Sequence, residues 1–79
     1  MAKVWKYAYN DNTIEVINDA VVELNVNGEV QDRIRGITIG GEMTGQLPSG
    51  EAIKVRLGGT LKTECDLFIN HKLQTCIDE

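Results

Sequence analysis

Short runs of alternating apolar and polar residues, separated by turn-forming residues, constrain the fold of this chain more than any other feature. The segment 4–9 carries an aromatic residue at every second position, and the segment 20–26 does the same with aliphatic residues. A period of two is typical of a β-strand that buries one face. Because no stretch shows a capped helical stripe, we predict a nearly all-β chain.

Turn residues divide the chain into about seven to nine short strands. Asn27-Gly28 is a strong hairpin signal, since both residues accept positive φ, and Pro48-Ser49-Gly50 predicts a three-residue loop. We expect a small antiparallel β-sandwich or rolled sheet, built as one domain over residues 1–79. The predicted strands are 4–9, 13–17, 20–26, 29–35, 36–41, 42–47, 51–57, 63–69 and 72–77.

Two stretches of the chain resemble each other. The segment 23–32 aligns with 66–75, and Ile14-Glu15-Val16 aligns upstream with Ile53-Lys54-Val55. One interpretation is a pair of related strand–hairpin units. The other is that short β-hairpins converge on the same pattern of residues.

The register of the two matching hairpins is open at this stage. A two-residue turn satisfies the local chemistry of Asn27-Gly28 and of Asn70-His71, whereas a loop one residue longer gathers more apolar side chains on one face. Each buried aliphatic side chain contributes about 1.5–3 kcal/mol, so we favour the longer loop. In the last hairpin this choice predicts that Cys65 does not face Cys76, and that both remain thiols.

The charge balance limits the classes of partner. The net charge is −4, with 12 acidic and 8 basic residues, and the basic residues are scattered. Nucleic acids and anionic membranes attract clustered Lys and Arg, so we expect neither as a partner. The sequence contains no long apolar run of the kind found in signal peptides or membrane spans, so we expect a cytoplasmic protein. A thin core and open sheet edges favour a homodimer.

No constellation of residues indicates catalysis, a metal site or a cofactor. His71 and Ser49, each the only residue of its type, both fall in predicted turns. Zinc would need two ligands beyond Cys65 and Cys76, and one histidine does not complete the set. We therefore expect no enzyme activity, no metal ligands and no cofactor.

The aromatic stripe is the strongest candidate for a binding site. Trp5, Tyr7 and Tyr9 fall on one face of the first strand. They either pack in the core or form an exposed surface for a protein or a sugar.

The pattern Glu23-Leu24-Asn25-Val26-Asn27-Gly28-Glu29, followed by Val30, resembles the repeated hairpins of the Fas apoptotic inhibitory molecule family. It is also similar to hairpins of small bacterial β-proteins. The resemblance implies a β-sandwich of strand–turn–strand units with a non-enzymatic binding role, and it transfers no functional residue. The second hairpin, at Asn70-His71, lacks the glycine of this pattern. Our leading hypothesis is a protein-interaction module, acting as an adaptor or inhibitor through a sheet edge or the aromatic stripe. The alternative is a sandwich that binds a small ligand or carbohydrate through Trp5 and Tyr7.

Overall fold

The computed structural model describes residues 3–35, 40–59 and 63–77. Within these ranges the chain forms two four-stranded antiparallel sheets, with no helix. The all-β prediction is therefore confirmed. The strand predicted at 36–41 lies largely outside the described residues.

Each sheet is a meander, in which strands that follow one another in sequence lie side by side. This order is expected for strands joined by tight turns. The first sheet contains β1 (Lys3–Tyr9), β2 (Asn12–Asn18), β3 (Val21–Val26) and β4 (Glu29–Arg35). The second sheet contains β5 (Gly41–Gln46), β6 (Ala52–Gly58), β7 (Glu64–Ile69) and β8 (Lys72–Leu73).

One apolar core joins the two sheets. Alternate residues of β1, β2, β3, β6 and β7 point inward, as the period of two in the sequence requires. The outward faces carry ion pairs such as Arg33–Glu23 at 2.9 Å. The buried side chains are Trp5, Tyr7, Ile14, Val16, Val22, Leu24, Val26, Met43, Leu47, Ile53, Val55, Leu57, Leu67 and Ile69.

Turn chemistry sets the strand boundaries. Three connections are two-residue turns with positive φ at both central positions: Asn10-Asp11, Asn27-Gly28 and Asn70-His71. Such turns match the right-handed twist of the strands that they join. The Pro48-Ser49-Gly50 loop forms as predicted, with the Leu47 N–H donating to the Glu51 carbonyl at 3.0 Å.

The hairpin between β3 and β4 combines the two registers that the sequence left open. The short turn pairs Val26 with Glu29, and a β-bulge further along then pairs Leu24 with Asp32. Gln31 is the extra residue of the bulge. The bulge returns Ile34 to the face that packs against the core. The extra residue therefore lies within β4 and not in the loop, where we expected it.

The three-residue loop expected in the last hairpin is wrong. Ile69 pairs with Lys72 and Phe68 with Leu73, so Asn70-His71 is a two-residue turn. Because β8 is only two residues long, a longer loop would bury little additional apolar surface, and the local turn preference prevails. Leu73 and Ile77, which the longer loop would have placed on the apolar face, are 62% and 66% exposed.

The two sheets repeat the same arrangement. Ile14 faces Val26 in the first sheet and Ile53 faces Ile69 in the second, as the sequence alignment requires. An asparagine locks each hairpin onto the preceding strand. Asn27 exchanges hydrogen bonds with the backbone of Thr13, at 2.8 and 2.9 Å.

Asn70 does the same with Ala52, at 2.9 and 3.0 Å. This shared lock supports the interpretation of two structurally related strand–hairpin units. In this correspondence β1 matches β5, and β4 matches β8.

The bulge on β4 closes the gap between the sheets on one side, which we call the closed seam (β4 and β5). The Asp32 carboxylate accepts a hydrogen bond from the Thr44 N–H at 2.9 Å, and the Gln31 side-chain oxygen accepts one from the Gln46 N–H at 2.7 Å. Successive backbone N–H groups of a strand point to opposite sides, and the Leu47 N–H points toward the neighbouring β6 side, where it bonds to Glu51. The amides of Thr44 and Gln46 therefore point away from β6. Side chains of β4 thus satisfy the edge of β5.

Gly45 makes room for this closure. A Cβ added at Gly45 would lie 2.5 Å from the Gln31 side-chain oxygen and 3.1 Å from Leu24 Cδ2. We therefore predict that Gly45→Ala lowers the free energy of unfolding by about 1–3 kcal/mol, because Gln31 must leave its amide partner. Urea unfolding followed through the fluorescence of Trp5, the only tryptophan, measures the change.

Gly58→Ala is the matched control, since a Cβ at Gly58 meets nothing within 4 Å. We expect it to be neutral or slightly stabilising. Equal losses for the two variants would show that Gly45 has no special packing role.

Candidate functional site

The second gap between the sheets, which we call the open seam, lies between β1 and the β7–β8 hairpin. Here the correspondence between the two sheets breaks down. β4 has seven residues, whereas its counterpart β8 has two. Gln74, the counterpart of Gln31, turns its side chain back to the Lys72 carbonyl at 3.1 Å. The side-chain bridge that covers β5 is therefore not repeated over β1.

The segment after β8 (residues 74–77) crosses this seam. Its first residue follows the hairpin register, because the Gln74 N–H donates to the Leu67 carbonyl at 2.8 Å. Its last residue has moved across to the other sheet, where the Ile77 N–H donates to the Lys6 carbonyl at 2.7 Å. The segment therefore spans from β7 to β1 and does not extend β8 along β7.

The outer edge of β1 is covered at one point. Strand alternation places the N–H and C=O groups of Val4, Lys6 and Ala8 on the side away from β2, and the Ile77–Lys6 bond confirms this direction. Among the described residues, no backbone group pairs with Val4 or Ala8 on that side. This strand edge can accept further main-chain hydrogen bonds.

A cleft of about 330 Å³ lies between the first residues of β1 and those of β7, and its lining includes Lys3 and Trp5, the chain neighbours of Val4. Lys3 and Trp5 line one wall, with the Lys3 ammonium 5.3 Å from the centre of the Trp5 ring. The other wall and the floor are formed by Glu64, Cys65, Asp66 and Cys76. The cleft combines an indole side chain, two carboxylates and two thiols.

Tyr7 fills the interior of the open seam. It occupies the position of Gly45 in the other sheet, since Tyr7 faces Ile14 as Gly45 faces Ile53. Its hydroxyl donates a hydrogen bond to Cys65 Sγ at 3.4 Å and so links the two sheets. Burial, followed by the Cys65 contact, raises the pKa of the Tyr7 phenol well above its ordinary value.

Cys65 is a poorly ionised thiol. Burial raises its pKa to about 11, although the hydrogen bond from Tyr7 opposes this shift. Nearby Asp66 and Cys76 also raise the pKa, because an added negative charge on Cys65 would be repelled. Cys65 and Cys76 do not form a disulfide, and both pack against the core.

The aromatic stripe of the sequence is mostly core. Trp5 is 2% exposed and Tyr7 is 1% exposed, while Tyr9 is half-buried against the core. Trp5 lines the cleft, and Tyr7 reaches Cys65 inside. The sequence did not reveal the open seam, because the missing length of β8 shows only when the two sheets are compared.

The other singled-out residues stand apart from this cleft. His71 is exposed at the β7–β8 turn. Ser49 donates its hydroxyl to the Glu51 carboxylate, which lowers the pKa of that exposed acid. Among the described residues, no group of three or more His, Cys, Asp or Glu side chains is placed to hold a metal ion. The described part of the chain also contains no helix long and apolar enough to cross a membrane.

Comparison with known proteins finds no matching family model, no similar curated protein and no similar solved structure. The site is therefore interpreted from its own geometry.

The environment of the two thiols predicts their order of alkylation. With a pKa of about 11, only about one Cys65 thiol in a thousand is ionised near pH 8, and the thiolate is the reactive form. We expect iodoacetamide to modify Cys76 before Cys65 in the folded protein. Peptide mapping by mass spectrometry over time measures both rates.

Unfolding in urea supplies the control for this experiment, since the two thiols should then react at similar rates. Faster modification of Cys65 in the folded protein would contradict the buried environment of its sulfur.

Proposed function

We propose that this protein is a non-enzymatic interaction module that binds an extended segment of a partner protein along β1 at the open seam. The observation that carries the proposal is the edge of β1 at Val4, which lies beside a cleft and has no described backbone partner. Addition of a strand to such an edge is a common mode of peptide recognition. The corresponding edge of β5 is covered by Gln31 and Asp32.

Charge favours a basic partner segment. Glu64 and Asp66 lie in the cleft wall, and the whole chain carries a net charge of −4. A Lys or Arg side chain of the bound segment could pair with these carboxylates, while Lys3 remains over the Trp5 ring. Main-chain hydrogen bonds would supply affinity, and the charged pair would supply orientation and selectivity.

Binding of a sugar through the aromatic stripe is less well supported. Stacking on a sugar needs an exposed ring face, and Trp5 and Tyr7 are nearly completely buried. The proposal includes a cytoplasmic location, where disulfides form only transiently. It leaves self-association as an alternative use of the same edge.

Selection from a random-peptide phage library against the immobilised protein tests this proposal. We expect the recovered peptides to be basic and to alternate apolar and polar residues. Val4→Pro removes an outward N–H without breaking the β1–β2 ladder, so it should weaken binding of the selected peptides by about tenfold or more.

Ala8→Pro is the matched control, because it removes an equivalent outward N–H at the end of β1 away from the cleft. Thermal unfolding verifies that both variants fold. Peptides that bind Val4→Pro as tightly as the unchanged protein would contradict strand addition at this site. Light scattering that shows a dimer lost in Val4→Pro would assign the edge to a second copy of the chain.

A further inference from the structure

We propose that Cys65 and Cys76 form a disulfide site, which a small-molecule disulfide such as glutathione disulfide converts to an intramolecular bridge across the open seam. This inference goes beyond the proposed function, since it needs only the geometry of the two thiols. Both thiols line one cleft, and both pack against the core.

The two residues would lie opposite each other if the hairpin register continued past Gln74. Ile69 pairs with Lys72, Phe68 with Leu73, and the Gln74 N–H bonds to the Leu67 carbonyl. Continuation of this register by two residues brings Cys76 opposite Cys65. Opposed residues of this type have Cα atoms about 5.5 Å apart, inside the range of about 4.4–6.8 Å that a disulfide spans.

The segment 74–77 must shift toward β7 to complete the bridge. At Ile77 it is held by a single described backbone bond to Lys6, and the Ile77 side chain is 66% exposed. Movement of the segment toward β7 therefore breaks the Ile77–Lys6 bond but removes little of the Ile77 side chain from a buried environment. The Tyr7 hydroxyl holds the Cys65 sulfur at the floor of the cleft, 3.4 Å away.

The exchange occurs in two steps. The Cys76 thiolate attacks one sulfur of glutathione disulfide, which breaks that S–S bond, forms a mixed disulfide on Cys76 and releases one glutathione thiolate. Cys65 then loses its proton and attacks the Cys76 sulfur, which releases the second glutathione. The two cysteines are oxidised by two electrons, one glutathione disulfide is reduced, and the two thiol protons pass to the two glutathiones.

Cys76 acts first because Cys65 is buried and poorly ionised. Cys65 reacts at a useful rate only when the mixed disulfide on Cys76 holds an electrophilic sulfur directly beside it. The bridge then fixes the segment 74–77 along β7, next to the cleft. If the proposed function holds, the bridge also alters access to the edge at Val4, but the bridge itself does not depend on that function.

Incubation of the reduced, folded protein with glutathione disulfide, followed by acid quenching and intact mass spectrometry, tests the inference. We expect the main product to lose about 2 Da, with no glutathione adduct, because a bridge removes two hydrogens. Peptide mapping without reductant should then recover Cys65 linked to Cys76 within one chain.

The variants Cys76→Ser and Cys65→Ser are the controls. Cys76→Ser leaves the buried Cys65 thiol in place. We expect glutathione to add to this variant at least about tenfold more slowly than the reduced form of the unchanged protein disappears. Cys65→Ser should stop at a stable glutathione adduct on Cys76. If Cys65→Ser does not fold, the comparison between Cys76→Ser and the unchanged protein is sufficient.

Three results would overturn the inference: a persistent adduct on Cys76 in the unchanged protein, bridges only between chains, or no reaction unless urea is present. Binding of the selected peptides to Val4→Pro is measured separately. Failure of the strand-addition proposal therefore leaves the result on the disulfide site unaffected.

Discussion

The structure depends on how two short antiparallel sheets satisfy the backbone groups at their edges. A four-stranded meander leaves two strands with one unpaired row of N–H and C=O groups, and two such sheets leave four. Gln31 and Asp32 satisfy one edge, because their side-chain oxygens accept hydrogen bonds from β5 amides. The edge of β1 receives only the Ile77 bond among the described residues. This inequality between two otherwise matching halves defines the candidate site.

The same constraint explains several residue choices inside the molecule. Gly45 is small because Gln31 and Leu24 occupy the space that a side chain would need. At the matching position of the other sheet, no glutamine enters, and Tyr7 fills the interior and reaches Cys65 instead. Both halves keep the asparagine lock, at Asn27 and at Asn70. The two halves therefore share a framework and differ at the two seams. A function that needs an open strand edge would be located at the open seam.

Much of the fold could be predicted from the sequence, because strands and tight turns are local in origin. The alternation over 4–9 and 20–26 and the turn at Asn27-Gly28 predict strands that the structure contains. The last hairpin was predicted incorrectly, since the gain from burial depends on the length of β8, which local patterns do not fix.

The candidate site was harder to predict. Trp5 and Tyr7 were singled out as aromatic residues on one face, but only the packing of the second sheet shows that this face is internal. The open edge at Val4 depends on the path of residues 74–77, and that path depends on contacts with the opposite sheet. Residue-resolved hydrogen exchange by NMR tests the inequality of the seams most directly. The Thr44 and Gln46 amides should exchange slowly, like ladder amides, while those of Val4 and Ala8 exchange rapidly. Rapid exchange at Thr44 and Gln46, or equal protection of all four amides, would contradict this account.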